Sequence, residues 1–360
     1  IKGNFDFLKS KLHGNTLFLA VVKAFAYGSD SIVVSKYLEK IGVDYFAVAY
    51  VKEGVALRES GVKTPILVLH PQSNNLKLAI QYLLEPSLYS LKLLTEFEKA
   101  AFDCGVTDYP VHIKFNTGLN RLGFRECDIS LVLGSLVESN LLKVRSVFSH
   151  LAASEDLNEK EFTENQLALF RSLSKRFIKH FNYPIIRHLC NTSGVLNYPD
   201  AHFDMVRCGI GLYGYGNFNK KAHKLTPAAS LKSIVSQVFN TASGETVGYN
   251  RGHVCKFDSK IATIPLGHAD GIGRQYGNGV GAVYINHKKA NIIGMEDYAK
   301  LIPSMSYVNY TPGTGKVYFR GIADDNGTFI SEESSALYLN EQPITQAGMA
   351  ADVRMVDVNR

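Results

Sequence analysis

Eight short apolar runs, each followed by a stretch with helical periodicity, fill the first 215 residues, and this alternation restricts the fold more than any other feature of the chain. Alternating strand and helix signals are the pattern of βα units, which line up parallel strands in one sheet and cover it with helices. The runs lie at residues 17–23, 45–50, 65–70, 84–89, 111–115, 144–150, 185–190 and 205–209. Eight such units close a (β/α)8 barrel. Among the helices, one is expected to begin at Phe162, with Thr163 and Gln166 as a capping box and Phe162 with Leu167 as a hydrophobic staple. Its apolar face continues through Phe170, Leu173, Phe177 and Phe181 at helical spacing.

After about residue 225 the helical period fades. Runs at 230–239, 260–266, 281–287 and 316–322 alternate with turns containing Gly and Asn, the signature of a β domain. The expected α/β organisation is therefore a barrel over residues 1–222 followed by a smaller, mostly β domain over 223–360.

Composition excludes several classes. Hydrophobic residues make up 46% and charged residues 20%, the proportions of a globular protein, and no apolar run approaches the ~20 residues of a membrane-spanning helix. The N-terminal IKGNFDFLKSKL is amphipathic and lacks the apolar segment of a secretory signal, which reads as cytoplasmic. Cys104, Cys127, Cys190, Cys208 and Cys255 are odd in number and include no C-x-x-C pair, so neither a disulfide framework nor a metal site is suggested. The net charge of +6 divides into +10 before residue 296 and −4 from there on. A basic body suits anionic small molecules. No dense Lys/Arg stripe interleaved with aromatics points to nucleic acid.

In barrels of this kind the C-terminal strand ends carry the active site. Lys23, Arg121, His150, Asn191 and Arg207 all fall at or beyond such ends. Lys23 closes the apolar run LFLAVV. A lysine there either snorkels its head to water, or is desolvated and primed to attack an aldehyde and hold it as a Schiff base. Gly209, Gly211 and Gly214 fit the spacing of a dinucleotide fingerprint. No helix pattern follows, Pro227 is close, and no acidic residue stands about ~20 positions on, so that reading is rejected.

Six segments in order, VVKAFAYG, HIKFNTGLNRLGF, FSHLAAS, NTSGVLNYPDAHFDMVRCGIGLYG, GETVGYNRG and IPLGHADGIGR, together resemble the alanine racemase family of pyridoxal 5'-phosphate enzymes, from about residue 1 to about residue 293. The resemblance implies that Lys23 holds the cofactor and is one of two catalytic bases, and that Tyr249 is the other. It places Tyr27, Thr192, Gly209 and Ile210 at the cofactor phosphate, with Asn191 next to Thr192, and His150 beside the ring. Arg207 matches the arginine that faces the pyridine nitrogen. Arginine does not give up its proton, so the ring stays a weak electron sink, which suits racemisation over transamination. A tyrosine base needs cationic neighbours to act near neutral pH, and the resemblance puts His150 and Arg207 close enough to supply them. Arg121 matches the arginine at the substrate carboxylate, and Lys114 a lysine often carried as a carbamate that steadies it.

The implied reaction is two-base interconversion of L- and D-alanine, feeding peptidoglycan, in a head-to-tail homodimer whose Tyr249 reaches the partner's lysine. The sequence departs from the pattern at Asn116, where the family has aspartate, and at His268, where it has tyrosine. About fifty unmatched residues follow NIIG, after which GMAADVRMVDV resembles a late copy of the family's closing motif. Asp352 stands at its aspartate, and Ala351 at the residue whose backbone N–H serves the substrate carboxylate. The C-terminal part thus reads as divergent or incomplete, in a fragment, an excised domain or a rebuilt family member. Two other functions fit these residues: a pyridoxal-phosphate-binding protein without racemase activity, and a racemase for a larger amino acid.

Overall fold

In the computed structural model the βα repeat closes on itself. The structure describes residues 1–216, 224–248, 251–267 and 270–293, and the backbone of the strands between 305 and 350. The first eight strands are β1 (Leu17–Val21), β2 (Tyr45–Val48), β3 (Ile66–Val68), β4 (Glu85–Leu88), β5 (Tyr109–Lys114), β6 (Leu142–Phe148), β7 (Ile186–His188) and β8 (Met205–Cys208). They form one closed parallel barrel in sequence order, with β1 returning to β8 through the pairs Leu17 with Met205 and Leu19 with Arg207. All eight expected strands are present, their ends displaced by one or two residues.

The two-residue period of each strand sorts its side chains between two environments. Phe18, Ala20, Phe46, Val48, Ile66, Val68, Val111 and Ile113 point outward into the main core beneath the helices. Leu19, Val21, Tyr45, Ala47, Leu67 and Met205 form a second cluster inside the barrel. Barrel interiors are usually filled by branched aliphatic residues. Here that filling covers only part of the interior. Glu85, His112, Ser146, His188 and Arg207, from β4 to β8, hydrogen-bond across the remainder.

The helix between β6 and β7 corrects one expectation. It runs over Lys160–Ile178, entered through a 3-10 turn at Leu157–Glu159 where the Asp156 side chain accepts from Asn158 N at 2.9 Å. Its start is thus set upstream, and Thr163 and Gln166 lie within it. Neither caps. Thr163 is buried with no partner for its hydroxyl among the described residues, and Phe162 is exposed rather than stapled. Gln166 instead reaches the loop after β6, accepting from Ala152 N at 2.9 Å and donating to His150 O at 3.4 Å. The apolar face is as expected, with Leu167, Phe170, Leu173 and Phe177 buried, each burial contributing about 1.5–3 kcal/mol.

The chain divides into two compact units, Ile1–Ser230 and Leu231–Arg360. The second is β-rich. Gln237–Thr241 pairs with Ser259–Thr263, Thr246–Val247 with His253–Val254, and Ala282–Ile285 with Lys288–Asn291, all antiparallel. Met305–Thr311, Thr314–Phe319 and Ile322–Ala323 form a three-stranded sheet. Among the described residues no helix is long and apolar enough to cross a membrane.

Candidate active site

A cavity of about 440 Å³ opens at the C-terminal ends of the barrel strands. Lys23, Tyr27, Lys114, Arg121, His150, Asn191, Thr192, Arg207, Gly209 and Ile210 all line it. These are all the expected site residues within the described part of the chain. Tyr249 and Ala351 lie outside the described residues, as do His268 and Asp352.

Lys23 stands two residues past β1, half-buried at the cavity wall. The segment after it is not a simple loop. Ala24, Phe25, Ala26 and Tyr27 all have φ between 52° and 56°, a complete left-handed turn of non-glycine residues. Each such residue costs roughly 1–2 kcal/mol, so tertiary contacts must impose the turn. One is the Glu53 carboxylate, which accepts from Ala24 N at 2.9 Å and from Ala49 N at 2.6 Å, tying the turn to the β2 exit. The turn carries Tyr27 toward Gly209. A Cβ on Gly209 would lie 2.1 Å from the Tyr27 hydroxyl, so only glycine leaves room for that approach. Burial raises the Tyr27 phenol above its ordinary pKa, which keeps it a neutral donor.

On the same side, the Asn191 carboxamide accepts from Ser154 Oγ at 2.9 Å and from Gly194 N at 2.8 Å, fixing the start of the helix Thr192–Asn197. Thr192 Oγ1 accepts from Gly211 N at 3.2 Å, which pins the turn carrying Gly209 and Ile210. The tyrosine and threonine hydroxyls and this glycine turn make a cradle of donors suited to a phosphate.

The far wall is cationic. Arg207 is fully enclosed; its guanidinium donates to Ser149 O at 2.6 Å, Leu189 O at 3.0 Å, His188 Nδ1 at 2.8 Å and His150 Nδ1 at 3.2 Å, and stacks over Phe148. Burial lowers its pKa to about 10, still charged at neutral pH. Lys114 is buried at the end of β5, and desolvation with the nearby charges of Arg207, Arg121 and Lys23 lowers it to about 8. Arg121 rides on the loop after β5, closed where Phe124 N donates to Lys114 O and Asn116 N to Phe124 O, each at 2.8 Å. Gly123, at φ +130°, permits that closure, since a Cβ there would meet the Asn116 nitrogen at 2.6 Å. Within the loop, Asn116 Oδ1 accepts from Gly118 N and Asn120 N while its amide donates to Asn120 Oδ1 at 2.9 Å. An aspartate cannot make that last bond, which accounts locally for the asparagine.

His150 departs from its expected electrostatic role. Burial, then Arg207, Lys114, Arg121 and Lys23, push its pKa well below 6.5, so it is neutral and accepts from Arg207. Of the two cations expected near the second base, only Arg207 carries charge. The sequence reading also missed four groups. Phe148 is the ring platform under Arg207 and Lys114; His188 braces Arg207; Glu53 holds the turn after Lys23; and His70 stacks on Tyr89 in the cavity wall with its Nδ1 buried and unpaired among the described residues. Period-2 spacing of the polar His112 and Lys114 in β5 puts two polar groups on the interior face of that strand, without pointing to their partners on other strands.

Among the described residues no acidic side chain lines the cavity, while four cations do. Fold and site therefore define a barrel enzyme whose strand-end pocket is built around a lysine and has a cationic lining suited to a multiply anionic ligand. The alanine racemase N-terminal domain matches residues 1–217 and the alanine racemase C-terminal domain residues 228–295, and the chain belongs to the alanine racemase family. An alanine racemase of Thermodesulfovibrio yellowstonii is 33% identical over 81% of this chain and 77% of its own. Alanine racemase 1 of Clostridium acetobutylicum is 34% identical over 77% of this chain and 72% of its own. Among solved structures, the alanine racemase of Streptomyces coelicolor A3(2) superposes with a TM-score of 0.76 at 27% identity, covering 81% of this chain and 79% of that one. The Bartonella henselae alanine racemase, described with covalently bound pyridoxal phosphate, gives 0.68 at 27% identity and the same coverages. The family comprises pyridoxal-phosphate-dependent isomerases.

Proposed function

We propose that this chain racemises alanine with pyridoxal 5'-phosphate, in the cytoplasm, supplying D-alanine for peptidoglycan as a head-to-tail homodimer. The observation that carries this reading is the convergence of ten expected residues, from five barrel strands' exits, on one cavity that no described acidic residue lines. The donor set fits the cofactor: an amine for its aldehyde, a hydroxyl and amide cradle for its phosphate, and a guanidinium for its ring nitrogen. When bound, pyridoxal phosphate supplies that aldehyde and a ring that spreads the electron pair left by a departing α-proton.

Lys23 anchors the cofactor and moves the α-proton on one face. Tyr27, Thr192, Gly209 and Ile210 seat the phosphate, with Asn191 ordering the turn they share. Arg207 keeps its own proton and would donate to the ring nitrogen rather than protonate it. His150, neutral, packs beside the ring. Arg121 and the Ala351 amide orient the substrate carboxylate, and Lys114, as a carbamate, steadies Arg121. Tyr249 of the partner subunit moves the proton on the opposite face. The division into a cofactor-binding part, 1–222, and a part contributing the second base, 223–360, belongs to the same proposal. Uncovered apolar side chains in the second unit, including Val238, Phe239, Val254 and Tyr284, support an interface there.

A second reading is favoured by His70. Its polar ring in the cavity wall suits a substrate with a polar side chain, so a racemase for a larger amino acid is the competing specificity. Racemisation of alanine, serine, lysine and glutamate by the purified protein tests both. Alanine is expected to be fastest, and Tyr249→Phe to lose racemisation while retaining bound cofactor. Cofactor binding with no turnover of any of the four would leave a cofactor-binding protein without racemase activity.

A further inference from the structure

Among the described residues Arg207 is a buried cation that touches no carboxylate; its partners are two carbonyls and two imidazoles. Enclosed charges are rarely left without compensation. A continuous hydrogen-bonded route to an anion runs through the barrel interior. His188 Nε2 lies 2.7 Å from Ser146 Oγ, Ser146 Oγ 2.5 Å from His112 Nδ1, and His112 Nε2 2.7 Å from Glu85 Oε2. Ser146, His112 and His188 are all fully buried. Glu85 is at the opposite mouth, bordering a second cavity of about 340 Å³ with Tyr45, Lys143 and Arg145.

The direction of this chain is forced by its ends. A guanidinium only donates, so His188 Nδ1 accepts and its proton sits on Nε2, facing Ser146. The Ser146 hydroxyl then donates to His112 Nδ1, whose Nε2–H donates to Glu85. Tyr45 donates to the same Glu85 oxygen at 3.1 Å and receives from Arg145 Nε at 3.0 Å, so bonds from both sides terminate on the carboxylate. Arg58 and Tyr109 complete the titratable groups whose charges act on or feel Glu85. In this pattern each ring accepts at Nδ1 and donates from Nε2, and every dipole presents its negative end to Arg207. Cooperative polarisation strengthens such chains in a low-dielectric interior.

We propose that Glu85 is the remote counter-charge of Arg207, conveyed through His112, Ser146 and His188, and that these four act as positioning residues for the guanidinium that faces the cofactor ring. The inference rests on the proposed cofactor reading for its consequence, though its geometry belongs to this chain alone. Its test begins without cofactor. In protein labelled with 15N-histidine, long-range proton–nitrogen spectra of the cofactor-free form are expected to show His188 and His112 protonated at Nε2 only, with His188 unprotonated at Nδ1 from pH 6 to pH 8. A proton on Nδ1 of either ring in that range would overturn the relay, and no variant is needed to read it.

The second arm is a double-mutant cycle in protein loaded with pyridoxal phosphate. Glu85→Gln is expected to lower kcat roughly tenfold, with KM changed less than about twofold, and to shift the cofactor absorbance. The same substitution in a Ser146→Ala background is expected to change neither further, because the link is already cut. Additive effects in the two backgrounds would mean that Glu85 acts structurally, and would refute the proposal. An unmodified protein that binds no pyridoxal phosphate would defeat the cofactor reading while leaving the tautomer result standing.

Discussion

Replacing Gly209 by alanine tests the phosphate cradle at its tightest point. The added Cβ would sit 2.1 Å from Tyr27 Oη and 2.9 Å from its Cζ, whereas real Cβ contacts below 3.0 Å are essentially never seen. The hydroxyl must therefore retreat by about 1 Å, and displacement on that scale removes a directed contact. A hydrogen bond to a charged acceptor contributes about 1.5–3 kcal/mol, so pyridoxal phosphate should bind roughly 10- to 150-fold more weakly. Tyr27→Phe deletes the same hydroxyl directly and should cost a similar factor. The double variant should then be little worse than either single one, because both remove one interaction. Equilibrium titration followed by absorbance measures all four proteins, with pyridoxal lacking its phosphate as the control, whose affinity should change much less. Wild-type affinity in Gly209→Ala, or additive losses in the double variant, would refute the reasoning.

Two buried polar groups yield further expected outcomes. Thr163→Val should stabilise the protein by about 1 kcal/mol in denaturant unfolding, because the hydroxyl is enclosed without a partner among the described residues; destabilisation by about 1 kcal/mol would restore the capping box. Lys114 has its pKa lowered from 10.5 to about 8, so between those values the unfolded chain holds a proton that the folded chain has lost. Stability from this residue should accordingly rise with pH across that window, by about 3 kcal/mol in total, in carbon-dioxide-free buffer. Compared with Lys114→Met, the wild type should gain that much between pH 7 and pH 10.5; a constant difference would contradict it.

The barrel was legible because each strand announces itself locally, as in YFAV or LFLAV, and because βα units leave few topologies open. Strand ends shifted because residues such as Lys23 and His150 belong to the exit loops their side chains serve. The left-handed turn had no local signal: Ala-Phe-Ala-Tyr contains neither glycine nor asparagine, and a carboxylate from elsewhere, Glu53, holds it. The Thr163 cap failed for the converse reason, since a valid local pattern was overridden by an upstream turn and by burial against the barrel. Ten candidate site residues, named from family motifs in order, line one cavity. The interior chain from Glu85 to Arg207 was not legible, because its members come from five strands and each alone reads as an ordinary strand residue.

The central claim is that one amine, at the exit of β1, carries the cofactor. Borohydride reduction of the purified protein after incubation with pyridoxal phosphate, followed by peptide mass mapping, tests it most directly. A single stable adduct on Lys23 is predicted, with loss of the visible absorbance on reduction and no adduct in Lys23→Ala. An adduct on Lys114 or another lysine with Lys23 unmodified, or undiminished labelling of the Lys23→Ala protein, would contradict it.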